Sequence, residues 1–185
     1  MIGFYDYTVI ATYVSLISAV LGINMAMRGY AGAAVICLLL SGLCDSFDGA
    51  IASTRKGRTT SEKRFGIQID SLCDLISFGV LPCCIGYAMG MKNWVFTALY
   101  CMFTLAALIR LAYVNVLEEE RQQETTEKRK SYLGLPVTNS AWIFPITYGI
   151  ITMFSIPAAV VFGIVYFVVA VLFITKFKVK KVSIR

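Results

Sequence analysis

The sequence contains no histidine among its 185 residues, and this absence limits the chemistry that it can perform. Histidine is the usual general base near neutral pH and the commonest ligand for zinc in proteins. Any acid–base catalysis or metal binding must therefore depend on carboxylate side chains.

Charged residues are also scarce. They make up 15% of the chain, whereas 58% of the residues are hydrophobic, and a soluble domain of this length needs a more highly charged surface. The hydrophobic residues occur in long blocks, as in membrane proteins. We therefore predict a single all-α membrane domain over residues 1–185, without a separate soluble domain. The first residues lack a positively charged region and a small-residue cleavage site, so we expect no cleavable signal peptide.

The chain also lacks paired cysteines. Its six cysteines lie in apolar segments and none forms a CxxC motif, so we expect small packing residues rather than a disulfide framework. The net charge of +6 comes from short loops between the apolar blocks, not from one basic face. Nucleic acid is therefore not an expected partner.

Most of the apolar blocks approach the ~20 residues that a helix needs to cross a bilayer. We predict membrane-spanning helices over residues 8–27, 30–52, 66–91, 94–117, 138–155 and 156–176. The fifth is short and is interrupted by Pro145, and Pro157 marks the turn into the sixth. Together the blocks predict a bundle of six transmembrane helices.

Lysine and arginine residues predict the orientation of this bundle. They concentrate in residues 53–65, 118–135 and 176–185, whereas the opposite side carries only Arg28 and Lys92. Because positively charged loops remain on the cytoplasmic side, we expect both termini in the cytoplasm.

Four aspartates lie inside predicted spans, where each charge costs roughly 2.5–3.5 kcal/mol at the middle of the membrane. They are Asp45, Asp48, Asp70 and Asp74. Spacings of three and four residues place the members of each pair on one face of a helix. Since the second and third spans are antiparallel, the two pairs lie at matching depths and can face each other.

Four converging carboxylates do not all remain ionised without a counter-charge. Carboxylate oxygens are suited to Mg²⁺ or Mn²⁺, and we expect one or two such ions, which usually serve to bind and neutralise phosphates. The basic loop that follows the second span contains Arg55, Lys56 and Arg58. Its position at the same membrane face suits it to phosphate or anionic headgroups.

The aspartates belong to a longer motif. It reads Asp45-Ser-Phe-Asp48-Gly49-Ala-Ile-Ala52, followed by Gly66-Ile-Gln-Ile-Asp70-Ser-Leu-Cys-Asp74. This arrangement resembles the signature of the CDP-alcohol phosphatidyltransferase family, which is DxxDGxxAR followed by GxxxDxxxD. Ser53 departs from the signature, because the family has arginine there, and residues 53–65 form a longer gap than in most members.

Within this family the chain most resembles the phosphatidylserine synthases. The similar segments are residues 65–82, 110–115 and 134–138. The resemblance implies a metal-dependent homodimer that transfers a phosphatidyl group from CDP-diacylglycerol to L-serine, with phosphatidylserine and CMP as products. Glycerol-3-phosphate, inositol and inositol phosphate remain alternative acceptors.

The resemblance also implies roles for individual residues. The four aspartates would hold two Mg²⁺ or Mn²⁺ ions at the cytoplasmic face, and Asp74 would also act as the general base on the acceptor hydroxyl. Asp48, Gly49, Ala52 and Gly66 would bind the CDP group.

Arg110 lies inside the fourth predicted span. An arginine within the membrane is a candidate functional residue, and its forked guanidinium is suited to a carboxylate such as that of serine. Arg55, Lys56 and Arg58 are further candidates for binding phosphate or serine.

A cation or proton transporter is a distant alternative, because buried aspartates also occur along transport pathways. Two features of the sequence oppose it. The acidic residues gather toward one membrane face, and no inverted repeat is visible.

Overall fold

A computed structural model of the chain describes residues 9–54, 59–124, 131–155 and 157–180. Its helices are α1 (Ile10–Met27), α2 (Ala31–Thr54), α3 (Thr60–Asp74), α4 (Leu81–Ala88), α5 (Trp94–Glu124), α6 (Ser140–Phe154) and α7 (Ala158–Ile174). Two further helical pieces are the π-helical segment Leu75–Val80, which joins α3 and α4, and the 3₁₀ turn Val137–Asn139 before α6. The short strands are β1 (Ser131–Leu133) and β2 (Lys178–Lys180).

Because α3, the π-helical segment and α4 form one continuous helix, the described residues contain six helical segments. This finding confirms the predicted all-α fold. Three segments are long and apolar enough to cross a membrane, namely Ile10–Met27, Thr60–Ala88 and Trp94–Arg121. The apolar stretch Ala31–Phe47 of α2 and the helix Ala158–Ile174 are shorter. The orientation of the bundle stays a prediction.

The third helical segment begins at Thr60, six residues before the start that hydropathy predicts. A capping box sets this start: the Glu62 N–H donates to the Thr59 hydroxyl oxygen at 3.2 Å, and the Thr59 N–H donates to Glu62 Oε2 at 2.7 Å. The first turns of α3 are polar, so they carry no signal of a membrane span. Another difference is that α6 continues through Pro145 instead of being interrupted there.

α1 and α2 pack as a hairpin through small side chains. The hydroxyl oxygens of Ser15 and Ser41 lie 2.7 Å apart, and each hydroxyl is also within 3.1 Å of the other residue's carbonyl oxygen. A Cβ at Gly22 would lie 2.8 Å from the Cβ of Cys37. Close backbone approach and interhelical hydrogen bonds are the interactions that hold helices together in lipid, where hydrophobic burial contributes little.

α5, α6 and α7 pack around a cluster of aromatic rings. Phe103, Phe144, Phe162 and Tyr166 are fully buried, and the ring centroids of Phe144 and Tyr166 lie 4.9 Å apart. The Tyr166 hydroxyl donates to the carbonyl oxygen of Pro82 at 2.6 Å. This hydrogen bond joins the aromatic cluster of α5, α6 and α7 to α4.

The segment after α5 pairs with the segment after α7. β1 and β2 are antiparallel, with Tyr132 opposite Val179, and the Gly134 N–H donates to the carbonyl oxygen of Phe177 at 2.8 Å. Gly134 has a φ of +70°, and a Cβ there would lie 2.9 Å from the carbonyl oxygen of Thr175. Glycine therefore permits this approach, which holds two basic parts of the chain at one end of the bundle.

Gly42 allows α2 to approach α6, because a Cβ at Gly42 would overlap the Cβ of Ala141. We predict that Gly42→Ala lowers the thermal unfolding temperature of the purified protein, since overpacking of a tight contact costs typically about 1–3 kcal/mol. The double variant Gly42→Ala/Ala141→Gly removes the overlapping methyl group and should recover most of the loss.

The matched control is Gly149→Ala. Gly149 is exposed on α6 and has open space where its Cβ would stand, so this variant should unfold at the same temperature or higher. A Gly42→Ala protein as stable as the control would contradict the packing described for α2 and α6.

Candidate functional site

The structure brings together three of the four predicted aspartates. Asp45 on α2 and Asp70 and Asp74 on α3 each offer one carboxylate oxygen, and these oxygens all lie within 4.8 Å of one another. None of the three side chains is exposed. Carboxylates at such distances repel each other unless a cation or a proton compensates them. The arrangement therefore fits a hard divalent cation, for which carboxylate oxygens are the preferred ligands.

Of the remaining predicted site residues, some lie within the part of the chain that the structure describes and others lie outside it. Asp48, Gly49, Ala52 and Ser53 continue α2 but their side chains are outside the described part, and Arg55, Lys56 and Arg58 lie outside the described residues. Gly66 is on α3, one turn before Asp70, and apart from its own helix and chain neighbours no atom of the described residues lies within 4 Å of the position that its Cβ would occupy. Among the described residues, the surface of α3 one turn before Asp70 is therefore open at Gly66, and the role of Gly66 in CDP binding stays a prediction.

α5 contacts the carboxylate-bearing face of α3 through a hydrogen bond. Ser71 follows Asp70 directly, and its hydroxyl donates to Oδ1 of Asn115 at 2.8 Å. In the sequence, Asn115 lies in a family-like segment, whereas no motif indicates a role for Ser71. The contact joins residues 44 positions apart, so neither residue signals it locally.

The winding of the helix changes directly after Asp74. Leu75–Val80 is π-helical, a conformation that often occurs at functional sites. The Thr104 hydroxyl on α5 donates to the carbonyl oxygen of Gly79 at 3.1 Å, which stabilises the wider turn. The π-helical segment carries the fully buried Ser77. The sequence does not indicate this π-helical segment, because a short apolar run has the same composition in either type of helix.

Arg110 lies on α5 with only 7% of its surface exposed. Together with Tyr113, Phe173 and Lys176, it lines a groove of about 180 Å³ between α5 and the C-terminal end of α7. The Lys176 Nζ lies 5.4 Å from the centroid of the Tyr113 ring, a cation–π contact. Two cations therefore border a mostly apolar groove. Sequence analysis treated Lys176 only as one charge of a basic tail.

Arg110 on α5 and the aspartates lie at similar positions along the length of the bundle. α5 contacts the π-helical segment at Ala107, whose Cβ is 3.4 Å from the position of a Cβ on Gly79, and it contacts α3 at Asn115. Arg110 lies between these two contact points on α5. It is therefore close to the level of Asp74, which ends α3 just before the π-helical segment.

Comparison with known proteins identifies a family and several relatives to which the chain is similar. Residues 8–177 match the family described as CDP-alcohol phosphatidyltransferase. The chain is 34% identical over 113 residues to the CDP-diacylglycerol–serine O-phosphatidyltransferase of Saccharomyces cerevisiae, covering 60% of this chain and 40% of that protein. It is 34% identical over 125 residues to the archaetidylserine synthase of Methanothermobacter thermautotrophicus, covering 67% and 49%.

A third relative is the CDP-diacylglycerol–serine O-phosphatidyltransferase of Helicobacter pylori, at 35% identity over 101 residues, or 54% of this chain and 38% of that protein. The alignments therefore span less than half the length of each of these relatives. The family match, in contrast, extends over all six helical segments and includes the three converging aspartates. This chain belongs to the CDP-alcohol phosphatidyltransferase family.

Proposed function

We propose that the chain transfers the phosphatidyl group of CDP-diacylglycerol to L-serine and releases CMP. The observation that carries this proposal is the convergence of the Asp45, Asp70 and Asp74 carboxylates within 4.8 Å, in a chain of this family. The relatives' names support the acceptor, since two are named for transfer to serine and one is named archaetidylserine synthase.

The chain is an integral membrane protein, given its three long apolar helices and its family. We place the reaction at the cytoplasmic face, with both termini on that side and two copies forming a homodimer. The concentration of lysine and arginine in residues 53–65, 118–135 and 176–185 supports this orientation. The family resemblance supports the homodimer.

The carboxylate cluster has the donor set for a divalent cation, and the family is generally dependent on such metals. Asp45, Asp70 and Asp74, with Asp48 from the same motif, would hold two Mg²⁺ or Mn²⁺ ions. When bound, these ions supply neutralisation of the diphosphate charge. The open surface at Gly66 leaves room for the CDP group beside the cluster, and Gly49 and Ala52, from the same motif, would also bind this group.

Asp74 is the proposed general base. It accepts the proton of the serine hydroxyl, and the hydroxyl oxygen bonds to the phosphorus on the lipid side of the diphosphate. The bond between that phosphorus and the bridging oxygen breaks, so CMP leaves with the bridging oxygen. Asp74 suits this role because it ends α3 beside the π-helical segment and lies near the level of Arg110.

Arg110 is the proposed ligand of the serine carboxylate. Its guanidinium is almost completely buried beside a groove, and a planar fork of donors matches a carboxylate in two parallel hydrogen bonds. Lys176 adds a second cation to the groove, which favours a phosphate-bearing acceptor as the second candidate function. Glycerol-3-phosphate and inositol phosphate are the acceptors of that class. We do not propose transport, because the family match indicates a transferase.

Release of CMP tests the reaction. Purified protein receives CDP-diacylglycerol and Mn²⁺ or Mg²⁺, with L-serine, glycerol-3-phosphate, inositol phosphate or inositol supplied separately. We expect release with L-serine alone, and a fall of at least ~100-fold in Asp74→Asn, as the loss of a general base predicts. Glu120→Gln, which removes an exposed acid at the end of α5, should retain full activity. Release with another acceptor instead of serine would overturn the choice of substrate and leave the family unchanged.

Metal binding can be measured without turnover. We predict that Asp70→Asn weakens the binding of Mn²⁺, followed by the electron paramagnetic resonance signal of the free ion. The loss should be on the order of tenfold or more, because the removal of even outer-shell partners has effects of that size. Glu120→Gln again serves as the control. Equal Mn²⁺ affinity in the two variants would exclude Asp70 as a ligand.

The role of Arg110 has its own test. Arg110→Lys keeps the charge but loses the two parallel hydrogen bonds, so we expect the KM for serine to rise ~10-fold while the KM for CDP-diacylglycerol stays constant. Arg121→Lys is the matched control, because Arg121 is on the same helix, pairs with Glu118 at 3.0 Å and lies outside the groove. An unchanged serine KM in Arg110→Lys would remove Arg110 from the acceptor site.

A further inference from the structure

We propose that the hydroxyls of Ser77 and Ser140 form part of the acceptor site and donate hydrogen bonds to the carboxylate of the amino-acid acceptor. The proposal rests on the function proposed above and adds two residues to it. Both serines are fully buried, and neither hydroxyl has a hydrogen-bond partner within the part of the chain that the structure describes.

Ser77 belongs to the π-helical segment and follows Asp74 by three residues. A serine in a helix commonly satisfies its hydroxyl by bonding to a carbonyl oxygen of the preceding turn. The Ser77 hydroxyl makes no such bond, although Thr147 on α6 does, to the Ile143 carbonyl at 2.7 Å. A buried hydroxyl without a partner destabilises the folded protein, so its presence next to the proposed general base indicates a partner that arrives with the substrate.

Ser140 is the first residue of α6 and follows the 3₁₀ turn Val137–Asn139. Its hydroxyl is likewise buried and without a partner among the described residues. The amino-terminal end of α6 carries the positive end of the helix dipole, which favours a negatively charged group. Ser140 thus combines an available donor with an environment suited to an anion.

Contacts between the elements bring the two serines to the same region. The π-helical segment packs against the 3₁₀ turn and α6. The sequence neighbours of the two serines, Phe78 and Ala141, both lie within 4 Å of the position of a Cβ on Gly42. Gly42 precedes Asp45 by three residues on α2, so the sequence neighbours of Ser77 and Ser140 contact α2 about one helical turn from Asp45.

The chemistry of this region fits a small amino acid that bears a hydroxyl. Arg110 is buried at the neighbouring level of α5 and supplies a positive charge. Two hydroxyls add neutral donors, which complete the hydrogen bonds of a carboxylate without adding charge. The acceptor's own hydroxyl would then extend toward Asp74. A site with one buried cation and two hydroxyls suits a singly charged carboxylate better than a doubly charged phosphate.

The test compares Ser77→Ala, Ser140→Ala and the double variant, each as the full chain. The KM for serine, the KM for CDP-diacylglycerol and kcat are measured by CMP release, and the unfolding temperature is measured without substrates. We expect each single variant to raise the serine KM by ~10-fold, the size expected for a hydrogen bond to a charged group, with an unchanged donor KM.

Stability separates a substrate contact from a structural contact. Because each hydroxyl lacks a partner in the described structure, its removal should leave the unfolding temperature unchanged or raise it. Thr147→Val is the matched control: it removes a buried hydroxyl from the same face of α6, two turns beyond Ser140, where the hydroxyl is already satisfied. This variant should leave the serine KM unchanged.

Three outcomes would overturn the inference while the proposed function stands. They are an unchanged serine KM in both variants, a rise in the donor KM instead, or a lower unfolding temperature with reduced kcat and constant KM values. If the unaltered chain releases no CMP with L-serine, the proposed function itself fails and the inference falls with it. CMP release by the unaltered chain with L-serine therefore distinguishes a failure of the proposed function from a failure of the inference about Ser77 and Ser140.

Discussion

Electrostatic repulsion among three carboxylates is the constraint on which the rest of this structure depends. Asp45, Asp70 and Asp74 place oxygens within 4.8 Å of one another, and none of the side chains is exposed. At an effective dielectric constant of about 20, two charges at that distance repel by roughly 3 kcal/mol. A divalent cation would reverse the sign of this interaction. α1 packs against both α2 and α3 and so holds together the two helices that carry the aspartates.

The two helices that carry the aspartates contact neighbouring helices within about one turn of the aspartates. Ser41 precedes Asp45 by four residues and is joined by hydrogen bonds to α1, while Gly42 lets α6 approach α2. Ser71, beside Asp70, is hydrogen-bonded to Asn115 on α5. Contacts with α1, α5 and α6 therefore position α2 and α3, the two helices that carry the aspartates. In lipid, where apolar burial drives little association, such close contacts and polar bonds are the available means.

The same arrangement separates the two tasks that the proposed phosphatidyl transfer requires. Carboxylates on α2 and α3 are suited to cations and hence to a diphosphate, whereas Arg110 and Lys176 border a groove suited to an anion. The π-helical segment follows Asp74 directly and packs against α5, the helix that carries Arg110. A wider helical turn at this position changes the direction of every later side chain relative to Asp74, and α5 stabilises it through Thr104.

The sequence by itself determined the helical class, the number of helical segments and the aspartate motif, because apolar block length and a spacing of three or four residues are local properties. It also indicated Arg110, since a charge inside an apolar block is visible without a structure. Only the tertiary structure shows that Ser71 meets Asn115, that Lys176 and Arg110 line one groove, and that the hydroxyls of Ser77 and Ser140 are buried without a partner among the described residues. These contacts join residues far apart in the chain, and neither partner differs in type from many residues that have no such role.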